Sequence, residues 1–217
     1  MKQQTAVVIG ATGLTGSHLV QQLLADDAFN AVRILVRKPV ALQHPKLQVE
    51  LVDFNNYEDY KIKLGSGDCI FCCIGTTNSQ VKGDEIAYRK IDFDIPVNAA
   101  RFGKEAGFQQ FAIITAATAN SKSRIFYNRL KGEVEEVIAT FQYQSFHIFR
   151  PSFIMGKRTE QRLGEKIFRV IFQTIAKLLP AAWRPIDAAT IATAMINSTK
   201  KGRPGMNLYY YKEMLRK

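Results

Sequence analysis

The sequence is poor in the residues that build metal centres and disulfide frameworks. It holds three cysteines and three histidines in 217 residues. Cys69, Cys72 and Cys73 crowd one short apolar run. An odd number in one place makes no disulfide scaffold and fits reduced thiols. Cys69 and Cys72 form a C-x-x-C, but no second pair and no nearby histidine completes a metal site, and a strand turns neighbouring residues to opposite faces. His18, His44 and His147 have no metal-ligand spacing. No metal is expected, and the cysteines are read as buried packing residues. No apolar run is long enough to span a bilayer. Linkers, low-complexity tracts and internal repeats are also missing, which with 47% hydrophobic residues predicts one domain over 1–217, its last part, about 150–217, contributing substrate-side helices. The chain enters its first apolar run without a signal-peptide pattern. Together with reduced thiols, this predicts a cytoplasmic protein.

Negative charge is scarce in one half only. Residues 1–108 carry twelve Lys/Arg against twelve Asp/Glu, whereas 109–217 carry eighteen against seven, so the whole net charge of +11 lies in the second half. That half faces an anionic small-molecule substrate, an acidic surface, or simply water. The interleaved aromatic and basic pattern of a nucleic-acid module is missing, so no nucleic-acid partner is expected.

What is present begins at 5–24, TAVVIGATGLTGSHLVQQLL. Ala6, Val7, Val8 and Ile9 are a short β-branched apolar run bounded by glycine, the pattern of a buried parallel strand. Leu14, Leu19, Val20, Leu23 and Leu24 then recur with helical period. Gly10, Gly13 and Gly16 lie between and within these elements at three-residue spacing. Gly10 lets the chain turn off the strand, Gly13 lets a pyrophosphate approach the backbone, and Gly16 lets helix and strand pack closely. The helix start offers free N–H groups and partial positive charge to that phosphate, and Thr12 and Thr15 can add hydroxyl donors.

Further strands follow at 32–36, 47–52, 69–74, 111–115 and 145–149, with an edge strand at 206–210. Helices are expected at 57–64, at 84–106 with an interruption near Pro96, and from a Ser121 or Ser123 cap to 140. Others are expected at 163–179, with one wide apolar face, and at 187–196. This alternation predicts a doubly wound α/β parallel sheet flanked by helices, with a small C-terminal helical portion over the strand ends. The basic amphipathic 163–179 could also rest weakly on a membrane surface or a partner. Nothing in the sequence sets the oligomeric state. Arg37 and Lys38 end the second strand where an acidic residue would bind the 2′-hydroxyl of NAD; a guanidinium there suits the 2′-phosphate of NADP. Asp53 and Phe54 follow the third strand, where the carboxylate can accept a bond from the adenine amino group. Cys73, Ile74, Gly75 and Thr76 should line the middle of the cofactor, where small residues leave room.

Tyr127 and Lys131 are four apart on a predicted helix and so share a face. A free phenol ionises near pH ~10. A cation ~4 Å away contributes about 4 kcal/mol at an effective dielectric of ~20, enough to make such a phenol ionise near neutrality. The pair is therefore read as a general acid/base and its cationic partner, with Lys131 also able to bond the nicotinamide ribose.

With these pieces, GATGLTG at 10–16, LVRK at 35–38, VDF at 52–54, FCCIGTT at 71–77, YNRLKGEVE at 127–135 and FRPSFIMGKR at 149–158, the chain resembles the short-chain dehydrogenase/reductase superfamily, and within it the atypical Tat-interacting-protein-like branch. The resemblance implies a Rossmann-like fold, NADP(H) as cofactor, and oxidoreductase activity on a carbonyl or quinone. It carries over Tyr127 as acid/base with Lys131, and assigns Gly10, Thr12, Gly13, Leu14, Thr15, Gly16, Arg37 and Lys38 to the cofactor. Pro151 and Phe153 fall where a strand-end loop meets the nicotinamide, and Arg158 and Arg162 near the cofactor or an anionic substrate group. The superfamily's substrate-holding serine falls at Thr115 or Ala116; Thr115 or Thr118 can replace it. Its active-site asparagine is replaced by Asp92. These departures leave two readings open, an enzyme and an NADPH-binding regulatory or redox-sensing protein with little turnover.

Overall fold

Strand β1 (Gln4–Ile9) carries Ala6, Val7, Val8 and Ile9 with no exposed surface at all, because apolar side chains cover it on both faces. The computed structural model describes residues 3–156, 180 and 183–216. After β1 come α1 (Leu14–Ala25), β2 (Phe29–Val36), β3 (Leu47–Leu51), α2 (Tyr57–Leu64) and β4 (Cys69–Cys72). Next are α3 (Glu85–Arg89), a π-helical turn (Lys90–Asp94), α4 (Ile95–Glu105), β5 (Gln110–Ile114), α5 (Phe126–Ala139) and β6 (Ser145–Phe149). The described part ends with β7 (Ile154–Met155), β8 (Ile186–Asp187), α6 (Ala188–Lys201), β9 (Gly205–Tyr209) and the short α7 (Tyr211–Met214).

Seven strands form one parallel sheet in the order β3-β2-β1-β4-β5-β6-β9. The pleat divides the core. Ala6, Val8, Phe71 and Phe149 face a layer that holds Leu19 and Leu23 of α1 and Ile191 and Met195 of α6. Val7, Ile9, Ile70 and Ile113 face the opposite layer, with Tyr60 of α2, Phe102 of α4 and Ile138 of α5. The sheet is thus a Rossmann-like doubly wound α/β sheet. Its strand order reverses between β1 and β4, and such a switch point opens a crevice at the carboxyl ends of the strands.

Two local expectations are corrected. The helix expected at 84–106 is three segments, because Pro96 lacks the N–H that would bond back to residue 92 and the chain widens into the π turn just before it. Neither Ser121 nor Ser123 caps α5; its N-cap is Ile125, whose N–H is taken by Ser123 Oγ at 3.1 Å, while Ser121 Oγ bonds Glu136. The helix expected at 163–179, with its surface-binding reading, lies outside the described residues, as do Arg158 and Arg162. No helix among the described residues is long and apolar enough to cross a membrane.

Candidate functional site

The turn between β1 and α1 is built around a backbone contact. Gly10 has φ +81°, and a Cβ there would lie 2.7 Å from the Cys73 carbonyl; at Gly16 it would lie 2.1 Å from the Gly10 oxygen. Both glycines are therefore required by the protein's own packing. Gly13 differs. A Cβ there would meet only the Gly10 oxygen at 3.2 Å and the Cys73 oxygen at 3.9 Å. Gly13 is the N-cap of α1, no side chain caps that helix, and no acidic residue lies in its first turn. Its free N–H groups and partial positive charge are left for an anion.

That helix start opens into a cavity of about 480 Å³ at the switch point. Of the residues singled out in the sequence, Gly13, Leu14, Thr15, Cys73, Ile74, Gly75, Thr76, Thr115, Tyr127, Lys131 and Phe153 line it, together with Asp92. A second cavity, of about 1130 Å³, is lined by Arg37, Asp53 and Phe54 and by Lys90 and Asp94 of the π turn. The π turn thus borders both, with Asp92 lining the first and Lys90 and Asp94 the second. Gly10, Gly16, Thr12, Lys38 and Pro151 line neither; Thr12 and Lys38 are exposed, and Pro151 is buried.

Two assigned roles change on contact with the geometry. Thr115 is buried, and its hydroxyl donates to Glu135 Oε1 at 2.6 Å, so its only proton is not offered to a substrate oxygen. Thr118 does not replace it: it is exposed, its hydroxyl donates to Asn128 Oδ1 at 2.7 Å, and it lies off the cavity lining. Lys131 is not a lone cation beside Tyr127. Its Nζ lies 6.0 Å from the centre of the Tyr127 ring and 2.7 Å from Asp92 Oδ1, in an ion pair buried on both sides. Burial pushes the ammonium down, and Asp92, then Tyr127, more than offset this, so Lys131 is held above the ordinary lysine value. Tyr127 is partly exposed at the cavity, its ring edge-on to Tyr88 at 6.4 Å.

Sequence reasoning missed the support behind Thr115. Glu135 accepts from Arg150 Nε at 3.0 Å and also pairs with its Nη2, while Arg150 Nη1 donates to the Tyr210 hydroxyl at 2.8 Å. A signal was available: Tyr127, Lys131 and Glu135 follow at four-residue steps and share one face of α5. Ile114, Met155 and Pro185, also cavity-lining, carried no sequence signal beyond being apolar.

Residues 10–152 match the model of a family described as NAD(P)H-binding. The chain is 27% identical over 204 residues to "Protein HTATIP2" of Rattus norvegicus, covering 91% of this chain and 82% of that protein. It is 30% identical over 207 residues to "Protein fmp52, mitochondrial" of Aspergillus fumigatus, covering 91% and 88%. Among solved structures, the Bordetella bronchiseptica enzyme WbmH in complex with NAD+ superposes with a TM-score of 0.75 at 13% identity, over 96% of this chain and 76% of that one. The expectation of a cytoplasmic location is overturned, since several fungal relatives are named mitochondrial. The thiols that suggested it are no guide to compartment: Cys69 and Cys72 are fully buried, and burial pushes the Cys72 thiol up to about 11, so both are inert whatever surrounds the protein.

Proposed function

The chain belongs to the NAD(P)H-binding family, as an atypical short-chain dehydrogenase/reductase-like member, and from that premise we propose that it is an NADP(H)-dependent oxidoreductase acting on a carbonyl or quinone compound. One observation carries the reading: the uncapped start of α1, the open face of Gly13, and the Tyr127–Lys131 pair line one cavity. The residues fit a dinucleotide, because the one glycine of the turn that packing does not demand is the one on the cavity wall.

The nicotinamide, when bound, supplies or takes the hydride. The N–H groups at the start of α1 hold the pyrophosphate. Arg37, exposed on the wall of the second cavity, meets the 2′-phosphate, and Asp53 and Phe54 hold the adenine. Lys131 orients the ribose. Tyr127 Oη gives its proton to the substrate oxygen during reduction and takes it back during oxidation. Ile114, Phe153 and Ile154 keep water from the reacting carbon. With Thr115 committed to Glu135, the proton for that oxygen comes from Tyr127, on the same cavity wall. The same observation favours a second reading, a dinucleotide-binding regulatory or redox-sensing protein with little turnover.

Fluorescence titration should give tighter binding of NADPH than NADH, with the preference lost in Arg37→Ala. A carbonyl and quinone panel should show NADPH oxidation that falls roughly 100-fold or more in Tyr127→Phe with cofactor affinity kept. Tight binding without turnover on any compound would move the assignment to the second reading. Indifference to both nucleotides at millimolar concentration would end both.

A further inference from the structure

We infer that Asp92 is the positioning residue for Lys131: its carboxylate, carried on the π turn, ties the ammonium of α5 to the loop after β4 and presents it to the cavity already charged and already oriented. The inference rests on the dinucleotide reading for what that ammonium is presented to, and on geometry alone for the tie itself.

Asp92 has no exposed surface and is held by two separate parts of the chain, through an ion pair on one oxygen and a hydrogen bond on the other. One of its oxygens lies 2.7 Å from Lys131 Nζ, and the other accepts from the Thr76 amide at 2.8 Å. Thr76 is held from the other side as well, its carbonyl accepting from the Tyr88 hydroxyl at 3.0 Å. Tyr88 in turn lies edge-on to Tyr127, one helical turn before Lys131. The contacts close a ring, Lys131–Asp92–Thr76–Tyr88–Tyr127, of which all but Tyr88 line the cavity. The π turn makes this possible, since the widened helix turns Asp92 inward while Lys90 and Asp94 face the second cavity.

An asparagine would still accept from the Thr76 amide, so the loop alone does not call for a carboxylate. The charge does. The groups that face Lys131 are Asp92 from the π turn, Cys72 from β4 and Tyr127 from its own helix, while Tyr88 of α3 faces Asp92 and Tyr127. Among these, Asp92 carries the anion at contact distance. Without it, a buried ammonium sheds its proton more readily. Asp92 therefore keeps a buried lysine protonated across the working range, in a cavity that must receive an anionic cofactor.

The test uses the full chain labelled with 13Cε-lysine, with the Lys131 resonance assigned through Lys131→Met. In nucleotide-free wild type, Lys131 should titrate above the ordinary lysine value. In Asp92→Asn it should titrate at least about one pH unit below that value. NADPH affinity of the wild type should be flat from pH 6.5 to 9. That of Asp92→Asn should weaken about tenfold or more as pH rises through the lowered lysine midpoint, a pattern that loosened packing alone would not produce. The same lysine midpoint in variant and wild type, or an affinity equally flat in both, would overturn the proposal. If Asp92→Asn does not fold, the wild-type titration decides, and a midpoint at or below the ordinary value sinks the inference. Failure of wild type to bind NADPH would count against the proposed function, and the nucleotide-free titration would still decide the role of Asp92.

Discussion

Three glycines three residues apart look alike in the sequence and do different physical work. Gly10 and Gly16 are held by backbone contact, Gly10 with φ +81° against the Cys73 carbonyl and Gly16 against the Gly10 oxygen. At 2.7 and 2.1 Å both overlaps are too deep for main chain to relieve. Gly13 has φ −75° and room for a methyl group at the cost of a few tenths of an ångström. Gly16→Ala should therefore unfold the protein or cost it more than about 3 kcal/mol. Gly13→Ala should change stability by less than about 1 kcal/mol and weaken NADPH binding about tenfold or more. Urea denaturation beside nucleotide titration separates the two; equal stability losses would remove the argument that Gly13 is reserved for a ligand.

Helix α5 works as a stripe. Tyr127, Lys131 and Glu135 rise at four-residue steps, each meeting a different element: the cavity, the π turn, and the end of β6. The Glu135–Arg150 pair is bidentate and Arg150 reaches on to Tyr210 at the start of α7, so one buried carboxylate joins α5, β6 and the C-terminal segment. Hydrogen bonding to Glu135 holds the guanidinium charged, above its ordinary value. Removing one partner of such a pair strands the other in a low-dielectric site. Arg150→Met should destabilise the protein by roughly 3 kcal/mol, read by chemical denaturation, whereas the double variant Arg150→Met with Glu135→Leu should recover part of the loss. No recovery would show that the pair is not a coupled unit. The helical step is legible in the sequence, and so are Tyr127 and Lys131. Their partners are not, because Asp92, Glu135 and Arg150 stand among 19 acidic and 30 basic residues whose pairing depends on which elements end up adjacent.

Acid stability belongs to the molecule as a whole, since it reports every proton taken up on unfolding. His147 lies in β6 with no exposed surface, its Nδ1 3.0 Å from the Tyr209 hydroxyl of β9 and its Nε2 without a partner. Burial, and then the charge of Arg203, push its pKa down to about 4. The unfolded chain takes this proton near pH ~6.5, the native state only near 4. The stability it contributes is therefore whole above that upper value and is lost as pH falls toward the lower one, on the order of 3 kcal/mol in full. Unfolding free energies at pH 7 and 4.5 should show a smaller loss in His147→Gln than in wild type; parallel losses would mean that the ring is already solvated.

Legible in the chain alone were the strand-turn-helix opening, the alternation that yields a parallel sheet, and many of the residues on the cavity wall. All of these are local: side-chain period, glycine conformational freedom and helix spacing act over a few residues. Tertiary structure alone decided that Thr115 gives its proton to Glu135, that Lys131 is claimed by Asp92, and that Arg37 and Gly13 belong to separate cavities. Each of these depends on which groups the folded sheet and helices bring within hydrogen-bond reach, and that distance is not written in any stretch of neighbouring residues.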